Sequence, residues 1–303
     1  MMNRRDITAA QGRSAGKSRV NTIPARRQKA GVAAAAPHFK NPGFLTRLKT
    51  MLSVDFYRLL HTPNFYIFLA ISAIIPAMVL SMGGSGMEGT APLYANTWNI
   101  LAADTPLYIV RQIGDYANMN MVFIFGGIMV SIFIGHDYSS GYVKQLFTTH
   151  SHKIDYMLSK SIVCAFAMAC MCLSYLIAGA GAGLIVGTSM DVNIGSLLIA
   201  ILGKTVMSLG WASLYTFLNV LFRRYFGISI SSSFFIGTGI PIIGAAALIG
   251  NSPALNVFLY GSSVNACLSS NILTLLTCMV VSTVWAIIYN MVGTLVLSRS
   301  DVY

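Results

Sequence analysis

The stretch KSIVCAFAMACMCLSYLIAGAGAGLIVGT, residues 160–188, decides the fold class of this chain. After Lys160 it contains no charged residue, and most of its side chains are apolar. A helix needs about 20 such residues to cross the hydrocarbon core of a bilayer. The stretch therefore predicts a membrane-spanning helix that is long enough to tilt or to project beyond the bilayer.

The rest of the chain has the same character. Hydrophobic residues make up 55% of its 303 residues and charged residues only 10%, whereas a soluble domain carries about 25% charged residues. We therefore predict an all-α polytopic membrane protein whose single membrane domain, residues 44–303, has six transmembrane helices. The predicted spans are 64–82, 118–136, 160–188, 197–222, 226–250 and 272–297. Gly237, Gly239, Pro241 and Gly244 predict a kink in the fifth span.

Three segments outside these spans have recognisable patterns. Residues 1–43 are basic and lack a hydrophobic period, which predicts a disordered tail of unknown role. In residues 44–60 apolar side chains recur at helical spacing, and polar ones, including Asp55, fill the other face. This pattern predicts an amphipathic helix lying in the headgroup layer. An apolar decad within 251–271 is too short to span, so it predicts an interfacial or re-entrant helix.

The distribution of Lys and Arg predicts the orientation. Of the 20 Lys and Arg residues, all but Arg111 and Lys204 fall on one side of the membrane if the N-terminus is inside. Cytoplasmic loops carry the excess of Lys and Arg in membrane proteins. Both termini are therefore expected in the cytoplasm.

The sequence argues against two classes of function, nucleic-acid binding and catalysis within the membrane. The net charge of +11 could suggest nucleic acid, but 12 of the basic residues precede residue 61 and no nucleic-acid-binding motif accompanies them. Membrane enzymes need acidic, Ser-Lys or His-rich sites at membrane depth, and the predicted spans contain no Asp or Glu. We expect no catalytic residues, no metal site and no cofactor within this chain. His136, His150 and His152 lack metal-binding spacing, and the five cysteines are interpreted as packing residues.

A few polar residues within the predicted spans leave two interpretations open. Lys204 is the one charged residue in the interior of a predicted span, since Lys160 is the first residue of its span, and Lys204 either extends its ammonium toward Asp191 and the interface or holds an anionic substrate. Ser229, Ser232 and Ser233 either allow close helix packing or line a translocation pathway.

The polar loop 137–159 separates the second and third predicted spans. Within it, SSGYVKQLFTT (139–149) has the spacing of a short amphipathic helix with an aromatic side chain free to contact a partner. The alternative is a solvated loop without a partner.

This loop resembles the corresponding loop of type-2 ABC exporter permeases. The matching positions are Asp137-Tyr138, Gly141, Val143-Lys144, Ser151-His152 and Lys160. Departures are Asp137 where the family usually has Glu, Tyr142 where Thr is common, and His152 where Arg is common. The stretch VDFYRLLHTPNFYIFL (54–69) is also similar to the start of the family's membrane domain.

The resemblance implies a transport subunit without its own ATPase. Such permeases pair with a separate nucleotide-binding subunit that binds ATP and Mg, and with a second permease copy or a paralogue. The implied coupling helix would dock on the ATPase through Asp137, Gly141, Tyr142, Val143, Lys144, Leu146 and Phe147. Arg223 and Arg224 would form a second cytoplasmic contact or simply anchor the topology.

The resemblance also implies a location and a range of cargoes. The chain would lie in a bacterial cell membrane and export a peptide, antibiotic, lipid, polysaccharide or ion. The alternative from another class is a non-transporting scaffold or an immunity protein that binds a toxic peptide at the membrane.

Overall fold

The computed structural model describes residues 43–83, 113–148, 152–186, 194–249, 253–268 and 272–299. Nearly all of these residues are helical, and no strand occurs among them, so the all-α prediction is confirmed. The predicted tail 1–43 lies outside the described residues except for Gly43, and so do residues 84–112 between the first two predicted spans.

Ten α-helices are present in the described part of the chain. They are α1 (Phe44–Leu60), α2 (Pro63–Gly83), α3 (Ile113–Ser139), α4 (Tyr142–Thr148), α5 (Lys153–Val186), α6 (Ile194–Leu221), α7 (Phe226–Gly237), α8 (Ile240–Ile249), α9 (Leu259–Leu268) and α10 (Ile272–Arg299). A short 3₁₀ helix, Pro253–Val257, precedes α9.

Three of the described helices are long and apolar enough to cross a membrane. The qualifying segments are Val122–Ser139 in α3, Lys153–Ala178 in α5 and Ile272–Arg299 in α10. Along α10 most apolar side chains are exposed, for example Leu276, Val280 and Val284. An apolar face that no other helix covers is typical of a helix in contact with lipid.

The centre of the bundle is formed by α5 and α6. Helix α5 packs against α1, α2, α3, α6 and α10, and α6 also packs against α3, α7 and α9. Trp211 and Tyr215 of α6 are fully buried there, together with Met168 of α5. Gly126 and Gly127 of α3 lie directly against the side chains of Met168 and Tyr215, which allows α3 to approach α5 and α6 closely.

Polar side chains join the helices in the interior. The amide of Asn219 on α6 donates to Ser131 of α3 (3.1 Å), whose hydroxyl also bonds Ser233 of α7 (2.9 Å). Ser229 of α7 donates to the Asn219 carbonyl oxygen. Hydrogen bonds between helices satisfy buried polar groups that lipid could not satisfy. Ser229 and Ser233 thus link α3, α6 and α7 through hydrogen bonds.

The segment Pro253–Leu268 turns back along α6 and α10. Trp285, midway along α10, donates its indole N–H to the Val257 carbonyl (2.8 Å), and Trp211 of α6 donates to Ser263 (2.7 Å). Leu255, Leu259 and Tyr260 are buried. The segment therefore packs on the middle of two long helices.

The kink expected in the fifth predicted span occurs at Gly239, between α7 and α8. Gly239 has a φ of +73°, and a Cβ there would lie about 2 Å from the Tyr260 ring. Because L-residues disfavour this conformation and an aromatic ring cannot give way easily, both effects require glycine.

We expect Gly239→Ala to destabilise the protein by about 2 to 5 kcal/mol, through backbone strain and overpacking against Tyr260. Thermal unfolding of the purified protein in detergent measures this. Gly244→Ala is the matched control in the same segment, since a Cβ at Gly244 meets nothing within 4 Å. Equal melting temperatures for the two variants would contradict the assignment.

Candidate functional site

The end of α3 is joined to α4 by a tight turn at Gly141. The amide of Ser140 donates to the His136 carbonyl (3.0 Å), that of Gly141 to Tyr138 (3.2 Å), and that of Gln145 to Gly141 (3.1 Å). Gly141 has a φ of +73°, the left-handed conformation that commonly ends a helix. The glycine shared with the exporter permeases therefore sets the direction in which α4 leaves α3.

Helix α4 lies over the ends of several longer helices. Its Val143 is buried (1% exposed) in a cluster with Met51 of α1, Met157 of α5, Val220 of α6 and Leu297 of α10. Val143 thus holds α4 against four other helices.

The sequence predicts an exposed aromatic side chain on α4, and the structure places it differently. Phe147 is half-buried and packs edge-on against the buried ring of Tyr156, at 5.7 Å between centroids. Leu146 is half-buried in the same cluster. The exposed side chains of α4 are Lys144, Gln145 and Thr148. An apolar side chain on a seven-residue helix gains more by packing on its own chain than by facing solvent.

Beneath α4 lies a set of four charged side chains, which we name the charge cluster. It consists of Asp55 and Arg58 of α1, Asp137 of α3 and Lys160 of α5. Lys160 Nζ lies 2.6 Å from Asp55 Oδ1 and 2.6 Å from Asp137 Oδ2. Arg58 Nη2 donates to Asp137 Oδ1. Two acids and two bases make the cluster neutral overall.

The charge cluster is withdrawn from solvent. Lys160, Asp55 and Asp137 have at most 1% of their side chains exposed, and Arg58 has 24%. Ser159 completes the shell by donating to Asp55 Oδ2 (2.7 Å). Buried charges are tolerated only when paired and hydrogen-bonded, and each charge here has at least one opposite partner.

Aromatic rings cover the cations of the cluster. The Tyr142 ring of α4 lies 4.2 Å from the Arg58 guanidinium carbon, and the Phe133 ring of α3 lies 4.6 Å from Lys160 Nζ. Such positions allow cation–π attraction. The cluster therefore connects α4 to α1, α3 and α5 at once.

Burial and charge shift the pKa of two groups in this region. Burial opposes the charged form of Arg58, but the carboxylates of Asp137 and Asp55 outweigh it and raise the arginine pKa. Burial raises the pKa of the Tyr142 phenol, and the nearby Asp55 carboxylate adds to the effect. Arg58 therefore stays charged and Tyr142 stays neutral at physiological pH.

A second ion pair fixes α1 to the start of α5. Arg47 donates to Asp155 Oδ2 at 2.9 Å. Lys153 of α5 donates to the Leu297 carbonyl at 2.7 Å, which brings the end of α10 to the same place. The start of α5 and the ends of α3 and α10 thus meet at one end of the bundle, with α1 against them.

Sequence reasoning placed Asp55 on the polar face of the amphipathic helix, and this was wrong. Asp55 is buried with Met51 and Leu59, which lie one turn before it and one turn after it on the same face of α1. Residues four apart share a helix face, so the sequence places Asp55 between two apolar residues on one face. That spacing was the signal that could have indicated the burial of Asp55. Arg58 was missed as a site residue altogether.

Of the remaining predicted site residues, Asp137 belongs to the charge cluster and the others lie outside it. Asp137 and Val143, expected to dock a partner, are buried within the chain and support α4 from below. Arg223 and Arg224 lie in the turn between α6 and α7, beside a separate cavity. Ser232 is half-buried and donates to the Ser229 carbonyl (3.0 Å).

Lys204 is buried on α6. Asp191, the partner expected for it, lies outside the described residues.

Comparisons with protein-family models, with curated proteins and with solved structures find no match to this chain. What the chain does is therefore inferred from the geometry at this end of the bundle, together with the resemblance seen in its sequence.

Proposed function

We propose that the chain is the membrane-spanning permease subunit of an ATP-driven exporter. In this proposal a separate ATPase subunit binds ATP and Mg and docks on the exposed face of α4. The permease pairs with a second copy or a paralogue in a bacterial cell membrane. Its six spans are α2, α3, α5, α6, α7 with α8, and α10, with both termini in the cytoplasm.

The observation that carries the proposal is the linkage of α4 to the bundle. Val143 packs in a cluster with residues of α1, α5, α6 and α10, and Tyr142 covers Arg58 of the charge cluster. A partner that pushes on α4 would therefore move several spans together. A solvated loop without a partner needs no such connection.

The distribution of charge supports a cytoplasmic position for this end. The described basic residues other than Lys204 gather here, including Arg47, Lys153 and Lys160. The excess of Lys and Arg belongs on the cytoplasmic side, where ATP is available to a partner.

The position of Pro253–Leu268 fits an exporter as well. Irregular backbone at membrane depth is tolerated where protein buries it, and this segment is packed against the middle of α6 and α10, away from α4. In this proposal the segment would close the export path on the side away from α4. Helix α4 would receive the motion of the ATPase.

Affinity purification from native membranes tests the proposal. The tagged full-length chain, solubilised in mild detergent, is expected to retain a nucleotide-binding protein that hydrolyses ATP. If repeated purifications yield the intact chain with neither an ATPase subunit nor ATP hydrolysis, the scaffold or immunity alternative replaces the exporter.

A further inference from the structure

A cavity of about 480 Å³ lies between the end of α3 and the turn that joins α6 to α7. Arg223 and Arg224 of the turn line it, together with His136 and Ser139 of α3. No carboxylate belongs to the described residues that line it. Its size lies within the range typical of small-molecule sites, and its charge favours an anion.

The nearest acid along α3 does not neutralise this cavity. Asp137 is fully buried, and its two carboxylate oxygens contact Arg58 and Lys160 in the charge cluster. Its charge is therefore already balanced by the two cations of the charge cluster.

Exposed apolar side chains continue from the cavity along α7. Phe226 lines the cavity and is 48% exposed, and Tyr225 and Ile228 beside it are also exposed. Further along the same helix Phe234 and Phe235 are exposed as well. A soluble anion would use only the basic hollow, whereas a phospholipid would use both the hollow and this apolar face.

We propose that this cavity binds the phosphate of an anionic phospholipid, with an acyl chain lying along α7. Arginine suits this ligand because its planar guanidinium donates two parallel hydrogen bonds to phosphate oxygens. Anionic lipids in the cytoplasmic leaflet attract basic residues near the surface. The inference requires a membrane location but no ATPase partner, so it stands or falls separately from the exporter.

Lipid titration of the purified full-length chain tests this inference. The protein in neutral detergent is titrated with phosphatidylglycerol or with phosphatidylcholine, and bound lipid is counted by native mass spectrometry. Each basic residue near the surface contributes about 1 kcal/mol, so Arg223→Gln with Arg224→Gln should weaken phosphatidylglycerol binding roughly tenfold or more. Arg223→Lys with Arg224→Lys keeps the charge and should retain most of the binding.

The matched control removes two other charges from the same end of the bundle. Lys49→Gln with Arg299→Gln changes two exposed residues away from the cavity and should leave phosphatidylglycerol binding unchanged. Size-exclusion profiles check that all variants remain folded.

Four outcomes would overturn the inference. The first is unchanged phosphatidylglycerol binding in the arginine-to-glutamine variant. This outcome counts against the inference even if the same variant loses a co-purifying ATPase. The second is an equal loss in the Lys49 and Arg299 control, which would indicate general surface charge. The third is equal binding of phosphatidylcholine. The fourth is displacement of the lipid by inorganic phosphate at equal concentration, which would make the ligand a soluble anion.

Discussion

Replacing Lys160 by methionine should destabilise the protein more than any other single change in the charge cluster. Lys160 contacts both buried carboxylates at 2.6 Å. Without it, Asp55 and Asp137 share the single cation Arg58, and one buried negative charge is left without a balancing partner. Removal of one partner from a buried ion pair costs about 3 to 5 kcal/mol. We expect a large fall in melting temperature and in the yield of monodisperse protein.

Two further variants separate a charge effect from the loss of a long side chain. Lys49→Met makes the same replacement at an exposed position of α1 and should leave the melting temperature within error of the original. Lys160→Met combined with Asp55→Asn restores neutrality, since Arg58 still pairs with Asp137. The double variant should recover part of the lost stability. A Lys160→Met protein as stable as Lys49→Met would show that the charge cluster does not hold α1 against the spans.

The second large effect concerns Lys144, which is exposed on α4 and does not belong to the buried cluster. If α4 docks on an ATPase, Lys144→Glu reverses a charge within that contact. A like-charge contact at an interface costs several kcal/mol, and 1.4 kcal/mol is a factor of ten in affinity. We expect the amount of co-purifying ATPase to fall at least about tenfold while the protein stays folded and monodisperse.

The matched control for this experiment is Lys49→Glu. It makes the same charge reversal on an exposed residue of α1, which Arg47 fixes near this end of the bundle. This variant should retain the ATPase. Equal retention by both variants would exclude Lys144 from the docking surface, and equal loss would indicate a long-range effect of net charge.

The sequence predicted most of the helices because hydrophobic runs and helical spacing are local signals. Helix α1 occupies the segment predicted to be amphipathic, and the fifth predicted span breaks at Gly239, one of the glycines expected to kink it. Helix α5 begins at Lys153, seven residues before the predicted span, because its first two turns pack on α1 and α4 rather than in an apolar run.

The candidate site was only partly predictable because its contacts are distant in sequence. Asp55 and Lys160 are separated by 105 positions, and Asp137 and Arg58 by 79. No local period indicates which acid meets which base across such distances. The resemblance marked Asp137 and Lys160 but assigned Asp137 to docking, whereas its burial gives it a supporting role. Which role Asp137 takes depends on how α1 packs against α5, and the local sequence does not show that packing.

Photocrosslinking from α4 in native membranes tests the central claim most directly. A benzoylphenylalanine placed at Gln145, which is exposed on α4, should form an adduct with a nucleotide-binding protein on irradiation. The same group at Leu198, exposed near the start of α6 at the other end of the bundle, should not. An adduct with an ATPase at position 145 alone is the expected result. Irradiation that yields no ATPase adduct from position 145, in a chain that is folded and membrane-inserted, would contradict the proposed coupling function.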